Sequence, residues 1–156
     1  MKLSKLIEKG KFGYVNSDIT EANFPDLKSK AKEYKLFHFD RTIFSEDIIK
    51  EMQKEGWEPA DLRQLLSWKD GNEKDWVVAL GQEWRDSRGD RGVPYLDFDG
   101  ERMLRLGWDG GGWHARCRFL AVRNSSAKQI VALEPLEAPE FIQLLIGEKV
   151  VKYKKI

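Results

Sequence analysis

Eight arginines and no lysine lie between Asp75 and Ala127: Arg85, Arg88, Arg91, Arg102, Arg105, Arg116, Arg118 and Arg123. The rest of the chain has seventeen lysines but only two arginines, Arg41 and Arg63. The same window carries four of the six tryptophans, Trp76, Trp84, Trp108 and Trp113. A guanidinium is a rigid fork of donors and an indole is a flat apolar face with one N–H. Together they make planar, multi-donor contacts that a flexible ammonium does not. Mixed with Tyr, Asp and Gly, they give the combination that serves antibody binding loops, rigid area plus small adaptable groups. We read the window as a recognition face carried by the rest of the chain. Its expected ligand-contacting residues are Trp84, Arg85, Asp86, Arg88, Asp90, Tyr95, Arg105, Trp108, Trp113, His114 and Arg116. Trp76 is expected in the core.

Other chemistries find less support. The two histidines, His38 and His114, stand 76 positions apart, and with the single Cys117 they do not make a zinc site. His38 reads as a structural histidine on a half-buried strand. Asp97, Asp99 and Glu101 around Gly100 resemble half of a calcium loop, but the twelve-residue ligand spacing is missing. They read as an acidic cluster at a turn. Cys117 has Arg116 and Arg118 beside it and His114 nearby, a setting that could lower its pKa. On a strand, however, neighbours point to the opposite face, so a structural, half-buried thiol is expected. Gly110-Gly111-Gly112 precedes Trp113 and His114 rather than a lysine and a helix start, so it matches no phosphate loop. Arginines among aromatics could grip single-stranded nucleic acid. Six carboxylates lie among the eight arginines from Arg85 to Arg123, leaving a net of only +2, too little for a strong phosphate field.

The chain that must position these residues has 156 residues and a net charge of +1, enough for one domain with a proper core and no global field. One cysteine excludes an internal disulfide. The first residues, MKLSKLIEKGKF, are basic without an apolar run, so no secretory signal is read, and no stretch approaches a membrane span. Cytoplasmic location is the default expectation. Leu3, Leu6 and Ile7 before Gly10 predict a short amphipathic helix, and residues 11–33 read as polar and irregular, broken at Pro25. The alternation from Lys35 to Asp40 predicts a strand. Ser45 is the expected cap of a helix with Glu46 and Asp47 in its first turn, Ile48, Ile49 and Met52 inward, and Gly56 as its stop. Pro59 is expected in the first turn of a second helix carrying Leu62, Leu65 and Leu66.

From Trp76 the pattern turns to β. Trp76–Leu80 reads as a buried strand, and Val93–Phe98 with Arg102–Trp108 as a hairpin around Asp99-Gly100, a type I′ signal. Residues 109–112 read as a loop without side-chain bulk. Arg116–Arg123 is expected as a strand with Phe119 and Ala121 on one face and Arg118, Leu120 and Val122 on the other. Gln129–Leu133 suggests a strand, Ala138–Ile146 a helix, and Lys149–Lys155 a solvated tail or edge strand.

Two segments together resemble the C-type-lectin-like fold of sulfatase-modifying-factor (formylglycine-generating) domains. The chain reads Ser45-Glu-Asp-Ile48, then Glu55-Gly-Trp-Glu-Pro-Ala-Asp-Leu-Arg-Gln-Leu-Leu-Ser-Trp68, Val78-Ala-Leu-Gly-Gln-Glu-Trp84 and Arg118-Phe-Leu-Ala-Val-Arg123. Pro59 matches that family's turn proline, Gly81 and Trp84 its Gly-Gly-Ser-Trp-type strand, and Arg118-Phe119 its closing Gly-Phe-Arg-Leu-type strand with the order reversed. The resemblance covers residues 45–123. Within the fold the chain looks most like the variable proteins diversified by retroelements. There, a stretch before the closing strand is hypermutated at template adenines and displayed for ligand binding. A lysine-free window suits such a history, because lysine codons are adenine-rich. The enzymes of the fold depart from this chain: one branch uses copper-binding cysteines, and another a three-histidine iron site.

The resulting expectation is a single α+β domain over residues 1–156, C-type-lectin-like, with two helices packed on a small, twisted, mainly antiparallel sheet. Residues 1–40 would supply an N-terminal helix and strand, 45–123 the lectin-like core and 124–156 a C-terminal extension. Residues 84–117 would present a non-enzymatic binding surface for a protein or glycan, without metal or cofactor and without membrane. The competing expectation is a nucleic-acid-binding protein or small enzyme built on Arg88, Asp90, His114 and Arg116. A third is an interaction subunit docking through its lysine-rich end. The oligomeric state is left open.

Overall fold

The computed structural model of the chain describes residues 2–68, 75–108 and 110–124. Among these, three helices and an open eight-stranded sheet make a mixed α+β fold. The helices are α1 (Leu3–Gly10), α2 (Ser45–Lys54) and α3 (Leu62–Ser67). The strands are β1 (Tyr14–Val15), β2 (Glu33–His38), β3 (Glu58–Pro59), β4 (Val77–Val78), β5 (Trp84–Arg85), β6 (Arg91–Phe98), β7 (Arg102–Trp108) and β8 (Arg118–Arg123). The main order is β1-β7-β6-β4-β8-β2, with β3 also on β8 and β5 on β6. Pairing is mainly antiparallel; β1–β7 and β4–β8 are the parallel pairs.

Both faces of this sheet are covered. Along β8, Leu120 and Val122 join Leu96, Leu104 and Leu106 in one cluster, where α1 contributes Leu3 and α3 contributes Leu62 and Leu65. Cys117, Phe119 and Ala121 join Val93 and Tyr95 in the other, with Ile48 and Met52 of α2. The period-2 alternation of strand side chains thus separates α2 from α1 and α3, on opposite faces of the sheet. The two expected helices, α2 and α3, both pack on this sheet, but from opposite faces, with α1 beside α3. An apolar run such as Phe119–Val122 fits a central strand buried on both faces.

The N-terminal residues are integral to the sheet rather than an appendage. β1 aligns Tyr14 with Met103, and β2 pairs with β8 along its whole length from Glu33↔Arg123 to His38↔Arg118. Ile19 and Phe24 are buried core residues within the stretch read as polar and irregular. Two isolated apolar side chains without periodicity gave no signal there.

Local geometry corrects four further expectations. Phe44, not Ser45, holds the extended N-cap position of α2. Pro59 lies in β3 opposite Ala121, and α3 starts after Asp61, whose carboxylate accepts from the Gln64 N–H while the Gln64 side chain accepts from the Asp61 N–H. Phe98 pairs with Arg102, so the hairpin loop has three residues, and only Gly100 has positive φ (+77°), which excludes type I′. Of Trp76–Leu80 only Val77 and Val78 are paired as strand, between β6 and β8. The readings for Gln129–Leu133, Ala138–Ile146 and Lys149–Lys155 fall outside the described residues.

Candidate functional site

Sheet register decides which of the eleven expected contact residues can act together. Trp84 aligns with Gly92, and Gly92 with Trp108, across β5, β6 and β7. Aligned side chains share a face, so the two indoles flank a position without a side chain. Trp84 is half-buried against the cluster containing Leu106. Trp108 is 49% exposed, and its ring lies where a Cβ on Gly92 would be 3.4 Å away. Phe44, passed over in the sequence, is also half exposed; its ring lies against Gly112. Gly112 has φ +83°, a left-handed turn that glycine adopts without strain.

Trp113 and Tyr95 were expected to face a ligand and instead belong to the core, 4% and 6% exposed. The main chain of Trp113 bridges Ile43 in both directions, and its indole N–H donates to Ser45 Oγ at 2.9 Å. Its ring packs edge-on to Phe119 and fills the space over Gly107, where a Cβ would come within 2.8 Å. The reason is the position: the isolated pairing with Ile43 returns the chain beneath α2, so the side chain points inward. Tyr95 faces α2's side of the sheet, stacked on Trp76 at 4.3 Å. Burial pushes its phenol upward, against the opposing influence of Arg105.

The arginines are engaged within the chain. Arg85 donates to Gly89 O and lies 3.7 Å from Glu83, and Arg88 spans Asp86 and Asp90. Arg91 ties β6 to Glu46 of α2 and to Glu83. Arg102 donates to Gly10 O between the rings of Phe12 and Phe98. Arg105 donates to Asp97 over the Tyr14 ring. Arg116 and Arg118 share Asp75, and Arg123 binds Glu33 above Trp57. Three of the six carboxylates that looked like charge balance, Asp86, Asp90 and Asp97, are therefore specific partners, and Glu33, Glu46, Asp75 and Glu83 from outside that set hold others. Arg88 and Arg116 remain largely exposed at their tips.

Asp86 organises the β5–β6 turn. Desolvation acts to raise its pKa, but N–H groups of Asp90 and Arg88 donate to the carboxylate and, with the Arg88 guanidinium, hold it below the usual aspartate value. At another place, exposed His114 meets Trp76 edge-on at 4.8 Å and accepts from the Arg116 N–H. Its ring nitrogens lie 3.6 and 3.7 Å from Cys117 Sγ. Cys117 is fully buried rather than half-buried, and desolvation pushes the thiol up to about 11, with His114 hydrogen bonding as the opposing influence. His38 is exposed, with Nε2 2.7 Å from Ala115 O, so its contact is with the turn before β8.

Arg88 and Asp90 thus sit beyond the first residue of β6, whereas His114 reaches the level of Tyr95. Five residues of strand separate these levels, roughly 16 Å at the strand rise. Register does not assemble the four-residue Arg/His/Asp cluster. Among the described residues no group of three metal-ligating side chains occurs, and no helix is long and apolar enough to cross a membrane. No family model matches the chain, and no curated protein or solved structure matches it.

Proposed function

We propose that this protein is a non-enzymatic ligand-binding domain of C-type-lectin-like type, whose contact surface centres on Trp108. The observation that carries this reading is a half-exposed indole on a long hairpin strand, seated against Gly92 and backed by Leu106. Such a group offers apolar area at little entropic cost, because its frame is already ordered. Trp84 extends the apolar part, and Arg85, Asp86, Arg88 and Asp90 form its polar rim. In this reading the rim arginines meet a ligand already oriented by carboxylates, so they add specificity more than net charge. Trp113 and Tyr95 support the frame from within. The thiol held protonated to about 11 and the dispersed histidine and arginine groups favour binding over nucleophilic chemistry. Retroelement diversification of residues 84–117 and a protein or glycan ligand belong to the same proposal.

The test is a screen of the full chain on protein, peptide and glycan arrays beside Trp108→Ala. The expected outcome is at least one specific ligand whose binding falls about tenfold or more in the variant, as at an aromatic hot spot. Ligands bound equally by both proteins would refute the Trp108-centred surface. A reverse transcriptase beside a near-copy of the codons for 84–117 in the encoding locus would support the diversified form.

A further inference from the structure

An open cleft of about 290 Å³ shares no residue with the Trp108 face. Its size is at the small end of ligand pockets, roughly 300–1,000 Å³. Asp61 and Gln64 line it and are 6% and 7% exposed. The capping box of α3 uses Asp61 Oδ1 and Gln64 Oε1. Among the described residues no hydrogen bond engages Asp61 Oδ2 or Gln64 Nε2. A nine-tenths-buried carboxylate with an oxygen left over favours a donor, and best a cation. Lys30 also lines the cleft and makes no ion pair among the described residues, so it does not neutralise Asp61. Glu58 adds a second carboxylate, this one exposed and, among the described residues, met by a long contact from Gln53. Two backbone donors in the first turn of α3 are already used, Gln64 N by Asp61 and Leu62 N by Gln82.

The cleft therefore offers acceptors, Asp61 and Glu58, together with donors, Gln64 and Lys30. Leu27, an exposed apolar side chain, and Val122 supply an apolar wall. One small molecule carries the complement of all three. We propose that the cleft binds a free α-amino acid with an apolar side chain. Its ammonium meets Asp61 and Glu58, its carboxylate meets Gln64 and Lys30, and its side chain lies on Leu27 and Val122. The burial-raised phenol of Tyr34, which also feels the Asp61 charge, is consistent with a negative potential here.

Titration calorimetry of the full chain with L-leucine, L-valine, L-isoleucine and L-methionine tests the site. Leucinamide and 4-methylpentanoate serve as probes lacking the carboxylate and the ammonium. Binding of at least one amino acid is expected, with either truncated probe about tenfold weaker or worse. Asp61→Asn keeps a capping oxygen but removes the charge, and exposed Lys30→Gln leaves the fold untouched; each should weaken binding about tenfold. No heat from any of the four amino acids would overturn the proposal. Unchanged affinity in Lys30→Gln, in a folded Asp61→Asn, or for leucinamide would overturn it equally.

Discussion

Arg91 illustrates how guanidinium chemistry is used in this molecule. Its two ends reach Glu46 on α2 and Glu83 before β5, so one side chain fastens a helix to a hairpin. Arg102 does the same for the end of α1, and Arg123 for the β2 edge. Arginine suits this work because its fork holds several partners in fixed directions. Cys117 shows the opposite case, a titratable group stripped of water. The unfolded thiol releases its proton near 9 and the folded one near 11, so raising the pH through that interval favours unfolding. Chemical denaturation at pH 8 and pH 10.5 should therefore show a larger loss of stability in the wild type than in Cys117→Ala. Equal losses would mean that the thiol is not shielded. Slow alkylation of the native protein at pH 8 follows from the same burial.

At the scale of elements, a polar contact inside an apolar cluster joins Trp113 to the start of α2. The Trp113 indole donates to Ser45 Oγ, so Ser45 serves as an acceptor rather than a cap. Ser45→Ala should leave that N–H unpaired and cost about 1–3 kcal/mol in denaturant unfolding; a change below about 0.5 kcal/mol would mean the contact is dispensable. The sequence placed α1, α2, β2, the β6–β7 hairpin and β8 within a few residues, because each has clear periodicity or a glycine stop. It misplaced the start of α3. Proline suits a helix's first turn and an edge strand alike, and only pairing with Ala121 decides between them. The signal that was present, Asp61 three residues before Gln64, is the one that holds the cap and lines the cleft. β1, β3 and β5 have two residues each, too short for any pattern.

Across the whole described unit, the sheet separates two cores, and that partition is what the candidate surface depends on. Alternation along β6 and β7 sends Tyr95 toward α2 and Leu106 toward α1 and α3, leaving Trp108 at the end of the row where neither helix covers it. Composition identified the aromatic and arginine-rich window, but long-range register assigned its rings. Trp108 and Trp113 are alike in sequence, both beside the glycine run, and only the bridge to Ile43 distinguishes them. The most direct measurement is the unfolding free energy of Trp108→Ala and Trp113→Ala side by side. Trp113→Ala should lose about 3–5 kcal/mol, as for a filled core position, and Trp108→Ala about 1 kcal/mol. Equal losses, or a larger one at Trp108, would contradict an outward indole on a rigid frame.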